Sequence, residues 1–260
     1  MRKIGFAVLA GFACTAWGGP FDMLQGQAPA VERKRSAAIV EPTAGSCEAL
    51  PAADNTKLGI IRQMLMSGRP HAAIAYLDAA HIDAPQSDLL RADGLRQTGR
   101  HEQATELYRK LLGTCVAGNA YQGLGLIAGQ VGDVEEAVDQ LHSASALLPV
   151  DPDVRNDYGY ALLMAKDYDD ALHEFLTAIE LSPGHHQAAH NLLLLLYRTG
   201  ETDKAGKFAK DFGISDADIA RLKAEALKPL PGIALNEAVR QEPMSSSATK
   251  AAAIGKEQLQ

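Results

Sequence analysis

Small and apolar residues return along the middle of the chain at a fixed interval longer than any ordinary helix. Gly125 and Gly159 stand 34 positions apart, and the same offset pairs Ala137 with Ala171, Ala144 with Ala178, Leu147 with Leu181 and Pro149 with Pro183. Gly132-Asp133, Lys166-Asp167 and Gly200-Glu201 mark one point in three consecutive copies, and Ala205 continues the series of Ala137 and Ala171. Upstream, Gly99-Arg100-His101-Glu102-Gln103-Ala104 and Gly68-Arg69-Pro70-His71-Ala72-Ala73 repeat the turn and the small residue at spacings of 33 and 31. Self-similarity at such a period marks a repeat array, in which no single unit buries its apolar face alone.

Within a copy the spacing predicts two antiparallel helices joined at the Gly-Asp pair. Glycine takes a backbone conformation that a chiral residue resists, and the acid after it sits at a helix start where the macrodipole favours an anion. Gly125, Gly159, Ala137 and Ala171 let helices approach, while Leu162, Leu172, Phe175 and Ile179 fill the remaining volume. Residues 152–185 form the clearest copy and 118–151 a good second. Residues 186 to about 213 carry a degraded second helix, and 54–117 hold two weak copies. Beyond them, Ser215-Asp216-Ala217-Asp218 reads as a helix start, with Ile219, Leu222, Ala226 and Leu227 as the apolar stripe of a helix that closes the array. The fold class expected is all-α, a solenoid of about five helix pairs, three of them clear, over 54–228.

Composition agrees with helices, because aromatics are 5% of the chain and alanine runs through nearly every block. A hydrophobic fraction of 47% with 22% charged residues suits a folded chain, and 25 basic against 32 acidic residues leave a net charge of -7. That balance gives no footprint for gripping a phosphate backbone, so nucleic acid is not an expected partner.

The two ends read differently from the middle. Met1-Arg2-Lys3 followed by an apolar stretch from Ile4 to Ala13 has the form of a secretory signal, too short to span a bilayer, over residues 1–16. Cleavage after Ala16 removes Cys14; cleavage after Ala13 leaves Cys14 as an amino-terminal site for lipid attachment, with Gly11-Phe12-Ala13 supplying only part of a bacterial lipobox. Residues 17–53 read as a flexible linker and 229–260, with Pro229, Pro231, Pro243 and Ser245-Ser246-Ser247, as a tail that does not pack. The chain is then exported, to the periplasmic side of an outer membrane if lipidated and otherwise to the periplasm. Cys47 and Cys115 remain as two cysteines that an oxidising compartment either joins or leaves as separate thiols.

Other motifs point to no chemistry. His186 and His190 are four apart, with His185 adjacent, but no cysteine or carboxylate nearby completes a metal set. Gly123-Leu124-Gly125-Leu126-Ile127-Ala128-Gly129 mimics a dinucleotide loop, yet the repeat phase puts it inside a helix rather than after a strand. No nucleophile-base arrangement or catalytic carboxylate pair stands out, so no enzymatic activity, cofactor, metal or small-molecule substrate is expected.

A small residue in the first helix, Gly-Asp at the turn, Ala in the second helix and Pro at the close resemble the tetratricopeptide repeat, and 152–185 match it almost slot for slot. The resemblance implies a concave surface lined by the first helices, open to a protein partner. By slot, that surface takes Asn119, Gln122, Leu126 and Gln130 from one unit, and Asn156, Tyr160, Leu163 and Met164 from the next. The third contributes His190, Leu194, Tyr197 and Arg198. Asn156 sits in a slot used by chaperone-binding members to clamp a terminal carboxylate, but the accompanying lysines are absent. The lining suits an extended peptide or the apolar side of a helix.

Asn156 to Leu163, Ala178 to Pro183, His190 to Leu196 and Ala220-Arg221-Leu222 together resemble TadD-type proteins of tight-adherence (Flp) pilus assembly, over residues 60 to 228. That resemblance implies a non-enzymatic envelope scaffold that helps assemble or localise a secretin. A general periplasmic adaptor, or a pilotin for another pilus or cell-wall system, is the alternative.

Overall fold

The computed structural model describes residues 47–230. The signal segment 1–16 with Cys14, the linker up to residue 46 and the tail beyond residue 230 lie outside the described residues. Among the described residues eleven helices follow one another and there is no strand. The first four are α1 (Ala52–Met66), α2 (Pro70–Ala80), α3 (Pro85–Gln97) and α4 (His101–Leu111). Next come α5 (Ala117–Val131), α6 (Val134–Leu147), α7 (Pro152–Met164) and α8 (Tyr168–Leu181). The array ends with α9 (His186–Arg198), α10 (Thr202–Asp211) and α11 (Asp216–Ala226).

These are five antiparallel pairs and a closing helix. Each second helix packs on the first helix of the next pair, as α6 does on α7 and α8 on α9, and successive first helices also touch. The fold is the all-α repeat solenoid that the 34-residue period requires.

The boundaries follow from local chemistry. Pro70, Pro85 and Pro152 open α2, α3 and α7, where a missing N–H costs nothing and the fixed φ suits the first turn. Asp133 accepts from the Glu136 N–H at 3.2 Å, and Asp151 from the Asp153 and Val154 N–H groups at 2.9 and 3.2 Å. Ser215 caps α11 through the Asp218 N–H at 3.2 Å while its hydroxyl donates to the Asp218 carboxylate at 2.7 Å. The turn inside each pair needs a left-handed residue: Gly132 has φ 83°, and in the next copy Lys166 takes the same position at φ 64° despite its side chain.

Three buried clusters follow the chain, the largest running from Ala128 through the α7–α9 region to Leu222. Small residues set the helix spacing. A Cβ on Gly159 would lie 2.8 Å from two ring atoms of Phe175, and one on Gly125 would lie 2.5 Å from Leu141 Cγ. Ala137 and Ala171 are buried at the same interfaces. Gly123, part of the glycine run that mimics a nucleotide loop, lies against the ring of Tyr108, where a Cβ would sit 2.2 Å from Cζ. The run is therefore a packing feature.

Three details differ from expectation near the array's ends. Residues 47–50 of the segment expected as linker up to residue 53 make tertiary contacts: Leu50 packs on the first cluster, and a disulfide joins Cys47 to Cys115 in the α4–α5 turn, with Cα atoms 4.9 Å apart. In α11, Leu222 is buried but Leu227, just past the helix end at Ala226, is 88% exposed. Leu230, assigned to the unpacked tail, is buried.

Candidate functional site

The first helices of the third, fourth and fifth pairs, α5, α7 and α9, bring a row of amides to a single carboxylate. Gln187 Nε2 donates to Asn191 Oδ1 at 3.4 Å, and Asn191 Nδ2 donates to Asn156 Oδ1 at 2.8 Å. Asn156 Nδ2 then donates to Asp157 Oδ1 at 3.3 Å, and from the other side Gln122 Nε2 donates to Asp157 Oδ2 at 2.8 Å. The two bonds between neighbouring first helices both span 35 positions, one repeat plus one residue. Asn156 and Asn191 are buried, so satisfying their amides is obligatory. Burial raises the Asp157 carboxyl to about 6, against the lowering effect of the Gln122 and Asn156 hydrogen bonds; Asp153 adds to the rise and Arg96 of α3 opposes it.

Beside this row lies a cavity of about 340 Å³. Its wall is apolar: Leu126 and Met164 from the first helices, Val134, Ala137 and Leu141 from α6. Its rim is polar, formed by Gln130, Asn156, Asp157, Tyr160, Gln187 and Asn191. Space exists because α5 carries glycine there; a Cβ on Gly129 would meet only Ala137 Cβ, at 4.0 Å. Tyr160, 38% exposed, stands on the rim. The volume lies toward the lower end of the roughly 300–1,000 Å³ of small-ligand sites, enough for one or two side chains of a partner.

The structure gathers five of the twelve expected groove residues at this cavity: Leu126, Gln130, Asn156, Tyr160 and Met164. Gln122 adjoins it through Asp157. Asn119 is half-buried in the first turn of α5 and does not line the cavity. Two residues are corrected: Leu163 at 0% and Leu194 at 4% exposure belong to the central core. On a helix surrounded on three sides, a residue adjacent to a groove position already points into the interior. His190, Tyr197 and Arg198 face α11 instead of the cavity. Lys223 Nζ lies 5.3 Å from the Tyr197 ring centroid, Arg198 Nη2 donates to the Glu225 carbonyl at 3.2 Å, and His190 acts electrostatically on Asp218.

Asp157, Gln187, Asn191 and Gly129 complete the site without having been singled out. Asp157 and Asn191 lie one position beyond the slots Asn156 and His190, which is where a 35-residue contact falls when residues are matched at 34. His185, considered with His186 and His190 for a metal, caps α9: its Nδ1 accepts from the Ala188 N–H at 3.0 Å and its Nε2 lies 3.0 Å from Asp153 Oδ1.

A second polar cluster is structural. Tyr108, fully buried, donates to Asp93 Oδ1 at 2.5 Å and accepts from Arg96 Nε at 3.4 Å, and burial raises the titration of both Asp93 and Tyr108.

The tetratricopeptide-repeat family model matches residues 123–186 and 167–219. The chain is 36% identical over 207 residues to the TPR repeat-containing protein PA4299 of Pseudomonas aeruginosa, an alignment covering 73% of this chain and 84% of that one. Among solved structures, a crystal structure of MamA is similar at 22% identity and a TM-score of 0.48, covering 64% of this chain and 97% of that one. MamA from Desulfovibrio magneticus RS-1 is similar at 17% identity and the same TM-score of 0.48, covering 66% and 98%.

Proposed function

Since this chain belongs to the tetratricopeptide-repeat family, we propose that it is a non-enzymatic interaction scaffold whose first-helix groove captures a segment of a partner protein. The observation that carries this reading is the cavity between α5, α6 and α7, an apolar wall bounded by a polar rim of amides and one carboxylate. Nothing in that lining forms a nucleophile-base pair, whereas unspent amide N–H groups and lone pairs suit a peptide main chain beside an anchoring side chain.

The finer setting is the cell envelope. The sequence supports export through residues 1–16, retention by a lipid on Cys14, and a role in assembling or localising the secretin of a tight-adherence (Flp) pilus. A pull-down from membranes with and without Cys14→Ser tests the anchor. A secretin, an ATPase and a small pilin encoded beside this chain would support the pilus setting.

The groove itself is tested with a photo-crosslinking amino acid at Tyr160, and a control at Leu181, which is exposed on α8. Specific adducts from position 160 alone are the expected outcome. Adducts from position 181 with none from 160 would remove the groove from the function.

A further inference from the structure

The lining of the cavity contains one charged group, Asp157, and no described residue forms an ion pair with it. Asp157 accepts one neutral amide on each oxygen, from Asn156 and Gln122, and makes no ion pair among the described residues. A carboxylate offers about four lone-pair directions, so two are left for a ligand. The donors Gln187, Asn191 and Asn156 all point along the row toward Asp157, which fixes the carboxylate rather than neutralising it. An ionised acid held in a mostly apolar recess is a cost to the folded chain that an incoming cation would relieve.

Resting on the groove reading above, we propose that this cavity takes the side chain of a lysine or arginine from a basic segment of the partner. The aliphatic stem lies along Leu126, Leu141, Ala161 and Met164, all of which line the cavity, and the cationic head meets Asp157. Tyr160 on the rim presents a ring to the same charge. An acidic segment would meet Asp157 with Asp153 behind it, like charge against like. The net charge of -7 attracts a basic partner over a longer range.

Every element around Asp157 agrees with a cation-binding role. Its own helix adds Asp153, α5 and α9 add amides, α6 adds apolar side chains, and the basic group that acts on it among the described residues, Arg96 of α3, donates to Tyr108. Because burial raises the Asp157 carboxyl to about 6, its proton competes with the cation. Affinity therefore falls as pH drops through that value.

The test is fluorescence anisotropy of the full chain with N-acetylated, C-amidated dodecapeptides that differ at one central position: lysine, norleucine or glutamate. Norleucine keeps the stem and removes the charge. The lysine peptide should bind more tightly than its norleucine twin by about tenfold or more, a gap of the size one charge-assisted hydrogen bond supplies. Asp157→Asn, which removes the charge and keeps one of the two oxygens that accept the Asn156 and Gln122 amides, should erase that gap. Gly129→Leu, which fills the cavity where only Ala137 stands near, should weaken both peptides, with far-UV circular dichroism reporting an intact fold. On the unaltered chain, the lysine peptide alone should weaken below pH 6.

Equal affinity for lysine and norleucine, with both lost in Gly129→Leu, would overturn the cation while leaving the groove reading in place. Preference for glutamate would do the same. Binding of no peptide at all would overturn both.

Discussion

The side-chain amide of Asn191 donates to that of Asn156 across the α7–α9 interface at 2.8 Å, with both residues buried. They lie one repeat plus one residue apart, and the bond couples two units that also meet through apolar packing and the Asp153–His185 contact. Truncating one partner leaves the other's polar atoms buried with one fewer partner. Asn191→Ala should cost about 1–3 kcal/mol, measured by urea unfolding, and should release Asn156 from its place beside Asp157.

Glycines in one helix should respond in opposite directions. A Cβ on Gly123 would lie 2.2 Å from the Tyr108 ring, so Gly123→Ala forces that fully buried ring to move. A loss of about 1–3 kcal/mol is expected from overpacking. Gly129, six residues on and nearly free of neighbours, should accept alanine with a gain of up to about 1 kcal/mol from helix propensity. Thermal unfolding of the two variants side by side checks both signs.

Titration of Asp157 should be visible in stability. Its folded carboxyl is raised to about 6 from an ordinary 3.8, so between these values the folded chain holds a proton that the unfolded chain has lost. This group's contribution therefore rises as pH falls from about 6 toward 4, by on the order of 2 kcal/mol, and is lost again as pH rises through 6. Asp157→Asn should flatten that part of the pH–stability profile, and carboxyl chemical shifts should place the midpoint.

Reducing the Cys47–Cys115 bond should lower stability by about 2–4 kcal/mol, since it closes a loop with a sequence separation of 68 that holds the first four helices. Cys47→Ser should reproduce the loss without reductant. Comparing the unfolding midpoints of oxidised, reduced and substituted chains decides it.

Lys166 occupies the left-handed turn position at φ 64° that glycine fills at Gly132 and Gly200. Lys166→Gly should relieve the strain and raise stability by about 1 kcal/mol or less, part of the gain being offset by greater freedom in the unfolded chain.

The repeat was legible because its signals are local and recur. A turn glycine followed by an acid, alanine at a crossing and proline at the close each act within one unit, so matching copies at 34 positions recovers the pairs, and a capped apolar stripe recovers the closing helix. The site was legible only in part, because it depends on how neighbouring units are offset. The slots Leu126, Gln130, Asn156, Tyr160 and Met164 reach the cavity, whereas Leu163 and Leu194 turn into the core and Tyr197 and Arg198 are engaged by α11. Asp157 is not legible from one unit alone, because nothing within its own helix marks it as an acceptor for another unit. Only the approach of Gln122 from another unit reveals it as a half-buried acceptor.

The cross-link at the beginning of the array also decides how the molecule would carry load. With Cys47 fastened beside Cys115, tension applied through the amino end enters the spine at the α4–α5 junction, and α1 to α4 stand outside the path of force. In the oxidised chain a pull on the amino end therefore reaches the groove-bearing helices directly, whereas in the reduced chain it would have to pass through the packing of the first two units.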